Sequence, residues 1–220
     1  MNNFEKLKFS LKLGSDPVGI KLLFKYEIHE KKYEKFKEVT NLQRYCEYVK
    51  RASKGEFLKL KRGSFSCVTG EIMLGLKEPE KIEFDNRLKF KGLENILLFP
   101  ANKYDDLKVD CVLLIVTPRN CMDITEAYTK LFQKPLLIEL GTLSGVCSDV
   151  TAFVIKRQQI NFSFLCTGSR VYAEYDDNVL LCGIPGEMIN ELADMIQKIT
   201  AERELDLKLI RQLRNENNNQ

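Results

Sequence analysis

The sequence predicts an α/β or α+β fold, a mixed sheet covered by helices with room for two closely packed lobes. Three observations carry that expectation. Apolar runs at Val18–Phe24, interrupted only by Lys21, and at Cys111–Thr117 have the length of buried strands. Apolar residues recur at three- and four-residue steps from Gly186 to Leu213, the period of a helix face. Between residues 111 and 140, strand-like and helix-like stretches alternate, as layered α/β chains do. With 220 residues, 44% of them hydrophobic and 30% charged, the chain is long enough to bury a substantial core.

The elements follow in order. Glu5–Leu13 reads as a helix, and Pro17 introduces the buried strand Val18–Phe24. A helix is expected over Leu42–Ser53, a short strand over Phe57–Leu60, and a short helix over Gly70–Leu76, just after Cys67. Residues 77–108 are charged and punctuated by Pro79, Gly92 and Pro100, which marks a lobe junction around the single apolar run Ile96–Phe99. Cys111–Thr117 is a strand ended by Pro118, followed by a helix near Met122–Phe132 and a strand at Leu136–Leu140. The long helix Gly186–Leu213 closes a single domain spanning 1–213. The tail 214–220, without an apolar anchor, is expected to be disordered.

Composition removes several classes of function. The 34 basic and 31 acidic residues nearly cancel, leaving a net charge of +3 and no field for non-specific nucleic-acid binding. The basic stretch Lys59-Leu60-Lys61-Arg62 reads as a solvated edge. No signal-like amino terminus or membrane-length apolar run is present, so a cytoplasmic protein with no membrane partner is expected. Seven cysteines, an odd number, fit reduced thiols better than a disulfide scaffold. His29 is the only histidine and sits in a polar context, which excludes two-histidine zinc sites. Gly14-Ser15-Asp16-Pro17-Val18-Gly19 has the glycine spacing of a phosphate loop, but Ile20 stands where the lysine is required.

The thiols hold the remaining chemistry. Cys111 and Cys182 lie within apolar runs and read as core filler, and Cys121 as structural. Cys67, Cys147 and Cys166 adjoin glycine-bearing turns, where backbone amides can face a ligand, and Cys46 follows Arg44-Tyr45. Cys46, Cys67, Cys147 and Cys166 are therefore the candidate ligands for a metal or an iron–sulfur cluster. The familiar pair of cysteines separated by two residues is lacking, so these ligands would be dispersed. Cys166-Thr167-Gly168-Ser169-Arg170 adds a glycine permitting close approach and an arginine able to hold an anion. Gly168, Arg170 and Lys21 are the candidate ligand-binding residues.

Pro17-Val18-Gly19-Ile20-Lys21-Leu22, Cys46, Cys67-Val68-Thr69-Gly70 with Leu74-Gly75-Leu76, Cys166-Thr167-Gly168-Ser169-Arg170 and Gly183-Ile184-Pro185 occur in this order. In that arrangement the chain resembles the family called domain of unknown function 169, from about Leu11 to about Ile199. The resemblance implies an archaeal or anaerobic bacterial protein, a cysteine pattern matching Cys46, Cys67, Cys147 and Cys166, and no assigned reaction. Gly19 stands where alanine is commoner in that pattern.

Two functions stay open at this level. One is a metal-free ligand-binding or interaction module with a small anionic ligand at Gly168 and Arg170. The other is an iron–sulfur or metal-binding redox protein with a redox partner, using the four dispersed thiols. A thiol enzyme with Cys166 as nucleophile is a third, and it would need Lys21, Arg170 or a helix amino terminus to activate the sulfur.

Overall fold

The computed structural model describes residues 1–27, 31–79, 86–104, 107–141 and 143–218. His29 lies outside them. Among the described residues the strands are β1 (Val18–Phe24), β2 (Lys37–Glu38), β3 (Leu58–Lys61), β4 (Leu93–Pro100), β5 (Cys111–Val116), β6 (Asn161–Ser163) and β7 (Leu180–Pro185). They form one sheet in the order β2-β3-β4-β1-β5-β7-β6. Only the short β2–β3 pair is parallel and every other pairing is antiparallel, so the sheet is mixed. The α/β expectation holds.

Both faces of the sheet are buried, which explains why its central strands read as continuous apolar runs rather than alternating ones. Along β1, Val18, Ile20 and Leu22 point into one core while Leu23 points into the other. Along β5, Cys111 and Leu113 alternate in the same way with Val112, Leu114 and Val116. Helices α1 (Asn3–Ser10), α4 (Pro118–Phe132) and α7 (Ile189–Asn218) cover the second face. Their termini are set by sequence. Asn2 caps α1 in a reciprocal box with Glu5, and Thr117 does the same for α4 with Asn120, followed by Pro118 in the first turn. In α7, Ile189, Leu192, Ala193, Ile196 and Ile199 are buried, and no later residue of known exposure is. The second half of α7 is tied back by Arg203, whose guanidinium bonds the Asp123 and Glu126 carboxylates of α4.

The first face is covered by shorter pieces: α2 (Tyr45–Ala52), α3 (Val68–Met73), a π-helix at Gly145–Ala152 that continues into α5 (Phe153–Arg157), and α6 (Thr167–Val171). The π-helix lies directly on β7. A methyl at Gly183 would stand 2.1 Å from the Val150 carbonyl oxygen, so only glycine permits this approach.

Three elements differ from the sequence reading. Ile96–Phe99 is the middle of β4, paired on one side with β1 and on the other with β3, so the charged stretch around it contributes a central strand. Leu136–Leu140 is not a strand. Its backbone is held instead by the Asn161 side chain, which accepts from the Glu139 N–H (3.0 Å) and donates to the Glu139 carbonyl (2.7 Å). Helix α7 continues to Asn218, past the expected start of the tail at residue 214.

Candidate functional site

Each of the four candidate thiols comes from a different element on the first face of the sheet. Cys46 is in the first turn of α2, Cys67 and Cys166 occupy the N-cap positions of α3 and α6, and Cys147 is in the π-helix. All four line one cavity of about 280 Å³, together with Arg44, Thr69, Ser144, Thr167 and Ser169.

Local packing explains the convergence. Gly145 starts the π-helix against the turn that carries Cys166. A methyl there would meet the Ser163 hydroxyl at 2.8 Å and the Cys166 amide nitrogen at 2.9 Å. The residue before Cys166, buried Leu165, has a left-handed backbone (φ 70°), costly for a bulky side chain, and the Ser163 hydroxyl accepts its N–H at 3.1 Å. On the far side, a methyl built on Gly70 would lie 3.8 Å from Cys147 Sγ and 3.9 Å from Cys67 Cβ, so these two cysteines flank the same small gap. Tyr45 reaches under the site to Thr151, with 3.3 Å between hydroxyls, and joins α2 to the π-helix.

The thiols differ in protonation. Burial pushes the Cys147 thiol up to about 12, against a 2.7 Å contact with the Ser144 hydroxyl, and pushes Cys46 up to about 11, against a hydrogen bond to Ser169. Burial also acts on Cys166, but there it is outweighed. The Ser169 hydroxyl, 3.3 Å away, and the N–H groups of Ser169, Gly145 and Gly168 together hold this thiol below its ordinary value. Ser169 thus bridges Cys46 and Cys166.

The cation at this cavity is Arg44, which the sequence reading passed over. Its guanidinium stacks 3.8 Å above the Tyr172 ring, and its Nη1 lies 3.0 Å from where a methyl on Gly168 would be. Gly168 therefore does line the site, and its lack of a side chain admits Arg44. Arg170 and Lys21 are outside the cavity lining. Arg170 donates to the carbonyls of Phe164 and Val179, both at 3.0 Å, and to that of Asp176, clamping residues 164–179. Lys21 alternates to the other face of the sheet and pairs with Asp110 at 3.5 Å. The adjacency Arg44-Tyr45-Cys46 was the available signal, because a residue two before a first-turn cysteine sits at the same helix end.

Among the described residues no three His, Cys, Asp or Glu side chains stand close enough to hold a single metal ion, and all seven cysteines are free thiols. Cys111 and Cys182 are fully buried in opposite cores, and Cys121 is half-buried in α4. Among the described residues no helix is long and apolar enough to cross a membrane.

The family model for domain of unknown function 169, described as an uncharacterised ArCR, matches residues 6–92 and 83–195. No curated protein and no solved structure matches the chain.

Proposed function

The chain belongs to the domain of unknown function 169 family, whose description assigns no reaction, so its role must be read from the site, and we propose that it binds an iron–sulfur cluster as a redox protein. One observation carries this reading: four thiols from four separate elements line a single cavity of about 280 Å³. A lone zinc ion draws its ligands into one tight tetrahedron, whereas a cluster, with several metal centres, takes thiolates that stand further apart. An all-thiol donor set lining one cavity is the kind of set a cluster uses. Arg44 supplies positive charge beside thiolates that would carry a negative one, and hydroxyls of Ser144 and Ser169 can bond the sulfurs. Cys166 is held below the ordinary thiol value, while Cys46 and Cys147 are held above it and release protons on ligation, so loading strengthens as pH rises.

The test is anaerobic purification or reconstitution, followed by visible absorption and assay of iron and acid-labile sulfide. Brown protein is expected, with iron lost in Cys147→Ser and Cys166→Ser and retained in Cys121→Ser. Colourless protein, folded and free of iron after reconstitution, overturns the cluster. The cavity then serves a metal-free ligand, the second reading, which Arg44 favours because no carboxylate pairs with it among the described residues.

A further inference from the structure

Behind α2 from the thiol cavity lies a second and larger concavity of about 730 Å³. That volume falls in the range of small-molecule sites. Helix α2 forms a wall of both: Cys46 lines the first, and Lys50, one turn on, lines the second. Its floor is the carboxyl end of β5 at Ile115–Val116, with Leu13, Val179 and Tyr175 adding apolar surface.

Five lysines line it, Lys8, Lys12, Lys50, Lys54 and Lys103, against the carboxylates of Asp16, Glu174 and Asp176, and the Lys12 ammonium is drawn off to Glu204 at 2.7 Å. One of those carboxylates is already committed. Asp16, only 6% exposed, accepts from Lys8 at 2.5 Å and pairs with Lys103 at 2.7 Å. Burial opposes its charge, but the bonds from Lys103, Lys8 and Asn102 keep the carboxyl below its ordinary range. Lys50 is held by the backbone carbonyls of Ala173 (2.6 Å) and Glu174 (2.7 Å), so its charge is fixed in place and not neutralised by that pairing. Lys8, Lys50 and Lys103, three of the four cations left to the groove, are therefore positioned by the protein before any ligand arrives, which reduces the ordering cost of binding.

The ligand class follows from the cations. All five are lysines and no arginine lines the groove. Ammonium groups act as point charges that suit the oxygens of a phosphate, whereas planar recognition of a carboxylate favours the arginine fork. The Ser15 hydroxyl in the lining is a further donor. The apolar floor asks for an organic body. We infer that this groove binds a small phosphorylated organic molecule, its phosphate held by Lys8, Lys50, Lys54 and Lys103 and its body against Ile115 and Val179. The site is independent of what the thiol cavity holds.

The experiment is isothermal titration of the full chain at low salt with AMP, inorganic phosphate and citrate. AMP is expected to saturate with a Kd below about 1 mM and to bind at least about tenfold tighter than inorganic phosphate. Lys54, exposed and without a partner among the described residues, is the informative position. Lys54→Glu should weaken AMP about tenfold or more, Lys54→Arg should retain it, and Lys91→Glu, outside the groove, should change nothing. Lys103→Gln, at another exposed lysine of the proposed set, provides a second variant, in which Asp16 keeps its bond from Lys8. Failure of AMP to saturate overturns the site. Unchanged AMP binding in both Lys54→Glu and Lys103→Gln overturns the placement in this groove, and citrate binding as tightly as AMP overturns the phosphate assignment.

Discussion

The two faces of the sheet are built differently. The second face is covered mainly by two long helices, α4 of 15 residues and α7 of 30, with the eight-residue α1 beside them, over a core of aliphatic and aromatic side chains. The first is covered by pieces of five to eight residues, among them a π-helix, and its core includes Cys46 and Cys147 beside buried Ser148, Asp149 and Thr151. Long amphipathic helices bury area efficiently and present few termini. Short ones present many N-terminal turns and backbone amides, and those are the groups that surround the thiols. The protein thus separates a face that contributes stability from one that gives up regular packing to assemble a site.

The sharpest way to break this comparison is at the contact joining the π-helix to the sheet. Gly183→Ala places a methyl 2.1 Å from the Val150 carbonyl, and we expect a loss of about 4 kcal/mol in denaturant unfolding together with disturbance of the thiol cavity. Next in size is a cavity on the opposite face. Ile196→Ala, at a fully buried position on the sheet-facing side of α7, should cost about 3 kcal/mol while leaving the reactivity of the site thiols unchanged. If Ile196→Ala altered those thiols as Gly183→Ala does, the faces would not be separable.

The smallest effect is in titration. In iodoacetamide labelling of the native protein followed by mass spectrometry, Cys166 should react first near neutral pH, with Cys46 and Cys147 lagging until pH approaches 11 and 12. The same groups set the sign for stability. Above the ordinary thiol value near 9, the unfolded chain loses protons that native Cys46 and Cys147 retain, so stability falls as pH rises towards those values. Cys166, lowered on folding, acts oppositely, and its contribution is lost as pH falls through its folded value.

Much of the fold was legible in the sequence. β1 and β5 are buried on both faces and announce themselves as apolar runs, β1 with Lys21 as its one interruption, and α7 keeps its period for as long as it packs on the sheet. β4 was obscured because its apolar centre is short and its surroundings are charged. Leu136–Leu140 misled because a strand-like composition says nothing about whether a neighbouring strand is free to pair, and here Asn161 takes the backbone groups. The π-helix left no periodic signal. At the site, the residue types were readable but their meeting was not. Arg170 and Arg44 look equally able to face an anion, and only the fold turns one to backbone carbonyls and the other to the cavity.

The sequence separation of the four thiols has a consequence for how the chain is held together. Anything that ligates Cys46, Cys67, Cys147 and Cys166 at once ties α2, α3, the π-helix and α6 into closed loops, the longest running from residue 46 to residue 166. Closing loops of that length removes freedom chiefly from the unfolded chain. A bound cluster would therefore act as a removable cross-link over the half of the molecule whose own packing is least regular. Its loss would loosen that half first and leave the α4–α7 side standing.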